Sequence, residues 1–72
     1  MACELWHTTD HGDYMFYVDA EHKEAIRGIE RYRDWKVAAT YQKDGKITAI
    51  QYRVPQSDYA KARRIEKRIN SA

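Results

Sequence analysis

The sequence contains few of the residues and segments that characterise disulfide-bonded, zinc-binding and membrane proteins. Its 72 residues include one cysteine, one proline and three glycines. One cysteine can form neither an internal disulfide nor a Cys-based zinc cluster, so a reducing, cytoplasmic setting is expected. No apolar run approaches the ~20 residues of a membrane span, and residues 1–7 lack the basic and apolar regions of a signal peptide. We therefore expect one small cytoplasmic domain that does not bind membranes.

Leucine, isoleucine, valine and phenylalanine are also scarce, at about 15 % of the chain, which by itself is typical of disorder. Six Tyr and two Trp supply apolar area instead, and the net charge is only +2. These features predict a folded domain with an aromatic-rich core. Such a thin core is marginal in a single chain, so a homodimer is expected.

The strongest local signal is Asp44-Gly45, which lies between two β-rich segments and predicts a type I′ hairpin turn. A two-residue loop at this point fixes the pairing of the two strands. The residues expected to share one face, as cross-strand partners, are Tyr41 and Thr48, Ala39 and Ile50, Val37 and Tyr52, and Trp35 and Val54.

Residues 10–13 predict a looser turn that joins strands over 3–9 and 14–18. Here both alternating sets contain apolar side chains, with Trp6, Met15 and Tyr17 on one face and Leu5, Phe16 and Val18 on the other. The pattern therefore does not decide which face of this hairpin is buried.

A helix is predicted after each hairpin. The first spans about 20–33, with Asp19 as its N-cap, and the second spans about 58–70, with Ser57 as its N-cap. Gly28 flanks the apolar stripe of the first helix, and a close approach of this helix to the sheet would explain it. The apolar stripes of the two helices are Ala25, Ile26, Ile29 and Tyr32, and Tyr59, Ala62, Ile65 and Ile69.

The order ββαββα predicts an α+β domain over residues 1–72, made of a four-stranded antiparallel sheet with both helices packed on one face. The turn glycines at 12 and 45 lie 33 positions apart, so residues 1–34 and 35–70 are interpreted as a duplicated ββα unit. Such a layout occurs in many small proteins and carries no function by itself.

Charge divides the chain into an acidic and a basic half. Residues 1–35 carry four cations and eight acids, whereas residues 36–72 carry nine cations and three acids. In helical projection the predicted second helix gathers its cations in one arc, and Arg53 and Lys36 on the sheet could extend it. The residues of this arc are Lys61, Arg63, Arg64, Lys67 and Arg68.

Three interpretations of this basic arc stand side by side. It could contact nucleic-acid phosphates or an acidic protein, in which case binding would weaken steeply with salt. It could be a solvated face whose long aliphatic stems cover apolar surface. It could also pair with the acidic half of a second copy of the chain.

Trp6, Met15 and Tyr17 are the candidate interface residues. If they point away from the helices they form an aromatic platform, which could stack single-stranded bases or form the centre of a dimer interface. Core packing is the alternative, and the sequence contains no RNA-recognition signature.

Catalytic and metal chemistry are not expected. Cys3, His7 and His11 recur every four residues, but four residues of a strand span about 13 Å, which is too far for one metal ion. Asp10, His11 and Asp13 are typical of a polar turn. No catalytic triad or phosphate-binding loop is present, so we expect no cofactor, no metal and no enzymatic activity.

The sequence thus predicts a non-enzymatic binding module that acts through the basic face of its last helix. The alternative is a homodimeric protein-interaction, inhibitor or accessory module that uses the open aromatic face of its sheet.

Overall fold

The computed structural model describes residues 3–8 and 12–71 of the chain. Four strands and two helices follow one another in the order ββαββα, which confirms the predicted α+β class. A 3-10 turn, Gln56–Asp58, precedes the second helix. The elements are β1 (Cys3–His7), β2 (Tyr14–Asp19), α1 (Lys23–Ile29), β3 (Lys36–Lys43), β4 (Lys46–Val54) and α2 (Tyr59–Asn70).

All four strands pair antiparallel, in the spatial order β1-β2-β4-β3. The two hairpins therefore meet in the middle of the sheet, where Phe16 of β2 lies opposite Tyr52 of β4. This central pairing joins residues from the two halves of the chain into one sheet.

The predicted hairpin at Asp44-Gly45 is confirmed. Both residues have positive φ, 54° and 79°, as a type I′ turn requires, and Lys43 pairs with Lys46 across it. The predicted register is right at both ends of the hairpin, at Val37 and Tyr52 and at Gln42 and Ile47. Irregularities between Val37 and Ala39, and between Tyr41 and Gln42, shift the intervening residues by one position.

The shift changes the predicted partners in this hairpin. Tyr41 pairs with Ala49 and Ala39 pairs with Gln51, so these two side chains lie on the face opposite Tyr52. Trp35 is not a strand residue, because β3 begins only at Lys36. Its buried indole instead donates a hydrogen bond from Nε1 to Oδ2 of Asp58, at 2.9 Å.

Both helices are shorter than predicted, and neither predicted cap is correct. Asp19 remains in β2, where it pairs with Ala49, and His22 precedes α1 instead. After Ile29 the chain continues in turns that bring Trp35 into the core. At α2 the cap position is held by Asp58 and not by Ser57, because the 3-10 turn occupies the residues before it.

The core lies between the helices and one face of the sheet. Phe16 and Val18 of β2, Ile29 of α1 and Ala62 of α2 belong to a single buried cluster, so both helices cover the same side of the sheet. The sequence pattern did not decide which face of the first hairpin is buried. Phe16 and Val18 are fully buried, so their face is the one that packs against the helices. The other buried members of the cluster are Cys3, Trp35, Tyr52 and Val54.

Gly28 does not have the role suggested by the sequence. A Cβ at this position would meet no neighbouring atom within 4 Å, so no close approach of helix and sheet requires glycine here.

Candidate functional site

The face of the sheet that the helices leave uncovered presents the predicted interface residues. Trp6 and Met15 are cross-strand partners, and Tyr17 follows two positions after Met15 on the same strand. These residues alternate with the packed Leu5, Phe16 and Val18, so they lie on the opposite side of the sheet. Trp6 remains 40 % exposed, which is unusual for a side chain of its apolar area.

Tyr41 joins this surface, although the sequence pattern had placed it on the same face as Tyr52. Its ring meets that of Tyr17 edge-on, with the ring centroids 5.5 Å apart. Its hydroxyl donates a 2.8 Å hydrogen bond to Oε1 of Gln51, which is the cross-strand partner of Tyr17. We call the surface formed by Trp6, Met15, Tyr17, Tyr41 and Gln51 the open aromatic face.

Charged residues border the open aromatic face asymmetrically. The acids Glu4 and Asp19 lie on β1 and β2, whereas Arg53 and Lys36 are cross-strand partners on β4 and β3. Arg53 donates from Nε to Oδ2 of Asp13 at 2.9 Å. The acidic and basic borders are therefore on opposite sides of the aromatic residues.

The acidic border contributes to a raised pKa at Tyr17. Its pKa is raised above the usual value of 10.0, first by burial of the phenol and then by the negative charge of Asp19, which also accepts its hydrogen bond. Tyr17 therefore stays neutral at physiological pH and presents an apolar ring with a fixed polar end.

The predicted basic arc is present on α2, but two of its five cations are engaged locally. The Lys61 ammonium lies 3.9 Å from a carboxylate oxygen of Asp58 and 4.4 Å from the centre of the Tyr32 ring. Arg63 forms an ion pair with Glu66, three positions farther along the helix.

The other three cations of α2, Arg64, Lys67 and Arg68, form no ion pair with any residue that the structure describes. Arg53 and Lys36 do not extend this group, because they lie on the open face of the sheet and α2 covers the other face. The seven predicted basic residues thus form two separate sets.

The histidines and carboxylates of the first hairpin, for which no metal site was expected, are only partly described, since Asp10 and His11 lie outside the described residues. His7 has its Nε2 3.2 Å from the carbonyl oxygen of Gly12, within hydrogen-bond distance, and its ring packs against Tyr14. Cys3 is fully buried, and burial, together with the nearby acids Glu66, Asp19 and Glu4, raises the pKa of its thiol to about 12.

The sequence reasoning missed two further arrangements of side chains. Asp19, Glu21 and His22 bring three potential ligand atoms within 4.8 Å of one another, although Glu21 is largely exposed. A groove also runs between α1 and α2. His22 belongs to both arrangements.

Comparison with known proteins finds no matching family model, no matching curated protein and no matching solved structure. Among the described helices, none is both long and apolar enough to cross a membrane. The functional argument therefore depends on the surfaces themselves.

Proposed function

We propose that the protein is a non-enzymatic interaction module and that its open aromatic face binds a second copy of the chain. The observation that carries this proposal is the cluster of exposed aromatic side chains on the face that the helices leave uncovered. Trp6 and Tyr41 are 40 % and 43 % exposed, and Tyr17 and Met15 lie between them. Aromatic side chains and Met are enriched in interface cores, where they bury much area at little entropic cost.

The charges at its border support a second copy as the partner. A two-fold axis that runs between two stacked sheets, parallel to the strands, places the β1–β2 half of each copy over the β4–β3 half of the other. Glu4 of one copy then lies over β3 of its partner, one cross-strand pair away from the partner's Lys36. Opposite charges meet at both borders of such a dimer, because the interface is self-complementary.

The same balance of charge argues against a nucleic acid on this face. A surface that binds single-stranded bases combines stacking rings with a groove of positive charge. Here two acids border the rings, and Arg53 is already paired with Asp13.

The edge of the sheet is a weaker candidate for self-association. Edge strand β3 begins with Lys36 and ends with Lys43, and its pairing is irregular between Val37 and Ala39. Terminal lysines and bulges are devices that prevent edge-to-edge pairing. The proposal therefore concerns the open face of the sheet and not its β3 edge.

We further propose that the module works in the cytoplasm, where its single thiol stays reduced. Cys3 is buried in the core and has no second cysteine in the chain to pair with.

The test is the molar mass in solution, measured by sedimentation over a wide range of protein concentration. The wild type is expected to dimerise, and Trp6→Ala and Tyr17→Ala are expected to shift the equilibrium to monomer. Val37→Ala is the matched control, since Val37 is 59 % exposed on the opposite side of the sheet. A wild type that stays monomeric at its solubility limit would refute the proposal.

Charge reversal tests the arrangement of the two copies. Glu4→Lys and Lys36→Glu should each weaken the dimer, because each places like charges opposite one another. The double variant should recover most of the loss. If the loss of dimer stability in the double variant equals the sum of the losses in the two single variants, the proposed symmetry axis is wrong.

A second candidate function is phosphate binding by α2. It is favoured by Arg64, Lys67 and Arg68, which have no ion pair in the described part of the chain. Fluorescence anisotropy with labelled single- and double-stranded DNA and RNA should then show binding that falls steeply with salt. Arg64→Glu with Arg68→Glu should abolish it, whereas Lys43→Glu with Lys46→Glu at the hairpin turn should not. Absence of binding at low salt would exclude this function.

A further inference from the structure

A groove of about 460 Å³ separates α1 from α2 on the helical side of the molecule. Its apolar wall consists of Ala25 and Gly28 on α1 and of Ile65 and Ile69 on α2. This volume is within the range of sites that bind small organic molecules. The groove lies on the other side of the sheet from the open aromatic face, so it does not belong to the proposed dimer interface.

Gly28 keeps this groove open. Glycine weakens a helix interior, and α1 has only seven residues. No positive φ and no neighbouring atom requires glycine at this position, since an added Cβ would meet nothing within 4 Å. The missing side chain therefore leaves free space beside the α1 backbone, and this space is part of the groove.

Polar groups also line the groove, and they differ in the charge that surrounds them. The Nε2 atom of His22 is buried and has no hydrogen-bond partner among the described residues, since the nearest carboxylate oxygen, of Glu21, is 3.7 Å away. Arg68 lines the same groove and forms no ion pair within the described chain. Because His22 lies beside the carboxylates of Asp19 and Glu21, the end of the groove that suits an anion is the one at Arg68.

We propose that this groove binds a small apolar carboxylate. The hydrocarbon part of the ligand lies over Ala25, Gly28 and Ile65, and its carboxylate accepts hydrogen bonds from the Arg68 guanidinium. Charge-assisted bonds of this type are stronger than neutral ones. Glu24 also lines the groove, and its negative charge restricts the carboxylate to the part of the groove near Arg68.

The probe for the test is octanoate, titrated into the isotope-labelled protein while the backbone amide resonances are followed by NMR. Saturable shifts are expected in α1 and α2, with octanol binding more weakly and octylamine not binding. Equal affinity for octanoate and octanol would refute the role of the carboxylate. Shifts confined to the sheet, or no saturation, would refute the site.

Variants test the assigned residues. Arg68→Gln should weaken octanoate binding about tenfold, as expected for the loss of a charge-assisted pair. Arg64→Gln is the matched control, because it removes the same charge from the same helix outside the groove. Gly28→Leu should abolish binding by filling the space while leaving the helix intact, and Gly28→Met tests the same point with a more flexible side chain. An unchanged affinity in Arg68→Gln, or in both Gly28 variants, would overturn the proposal.

Discussion

At the scale of single residues, Cys3 shows how the fold changes acid–base chemistry. Its thiol pKa is raised from 9.0 to about 12 because the side chain is fully buried at the start of β1. The thiolate is the reactive form of cysteine, so the thiol of the folded protein should react very slowly with disulfide reagents at pH 8. Rapid modification without unfolding would contradict this burial.

The same shift predicts a loss of stability at alkaline pH. Below pH 9 the thiol is protonated in both the folded and the unfolded state. Between pH 9 and 12 only the unfolded chain ionises, so the free energy of unfolding falls as the pH rises. From pH 8 to 10 the wild type should lose roughly 1 kcal/mol more than Cys3→Ala, as measured by urea denaturation. Tyr17 and Tyr52, whose pKa values are also raised, titrate in both proteins and cancel in this comparison.

At the scale of elements, two glycines in the same chain should respond oppositely to alanine. Gly28 lies inside α1 with free space around it, so Gly28→Ala should stabilise the protein by up to about 1 kcal/mol. Gly45 has φ of 79° in the hairpin turn, so Gly45→Ala should destabilise it by roughly 1–2 kcal/mol. Chemical denaturation of both variants checks the pair. A destabilised Gly28→Ala would mean that the groove is narrower than described.

The elements also show what the sequence could and could not predict. The hairpin turn at Asp44-Gly45 could be predicted because both residues need positive φ, which is a local requirement that does not depend on the rest of the chain. The bulges of β3 were not predictable, since Ala38 and Ala39 are too small to favour either face of the sheet. At Asp19 the prediction of a helix cap was wrong because pairing with Ala49 extends β2 through that position.

The candidate site was predictable to a similar extent. Trp6, Met15 and Tyr17 could be assigned to one face of a hairpin from alternation alone, but only the helices packed on Phe16 and Val18 decide that this face is the uncovered one. Tyr41 was placed on the wrong side, because the bulges reverse its orientation. The groove depends on how two helices pack, which no local pattern encodes.

At the scale of the whole molecule, self-association should be visible in thermal stability. If the open aromatic face binds a second copy, folding is linked to dimerisation and Tm depends on concentration. A hundredfold increase in protein should raise the Tm of the wild type by about 5 °C or more, and should leave that of Tyr17→Ala unchanged. Calorimetry at several protein concentrations measures the Tm of both proteins. A wild-type Tm that does not change with concentration would contradict the dimer.

The pairing of β2 with β4 has a consequence for how the chain reaches this fold. Its partners are between 30 positions apart, for Asp19 and Ala49, and 40 positions apart, for Tyr14 and Val54. The chain must therefore close a long loop before the middle of the sheet can form. The chain entropy is lost at this step, before most of the stabilising contacts are made. Neither ββα half can complete its own sheet or core. The rate of folding therefore depends on the encounter of the two halves.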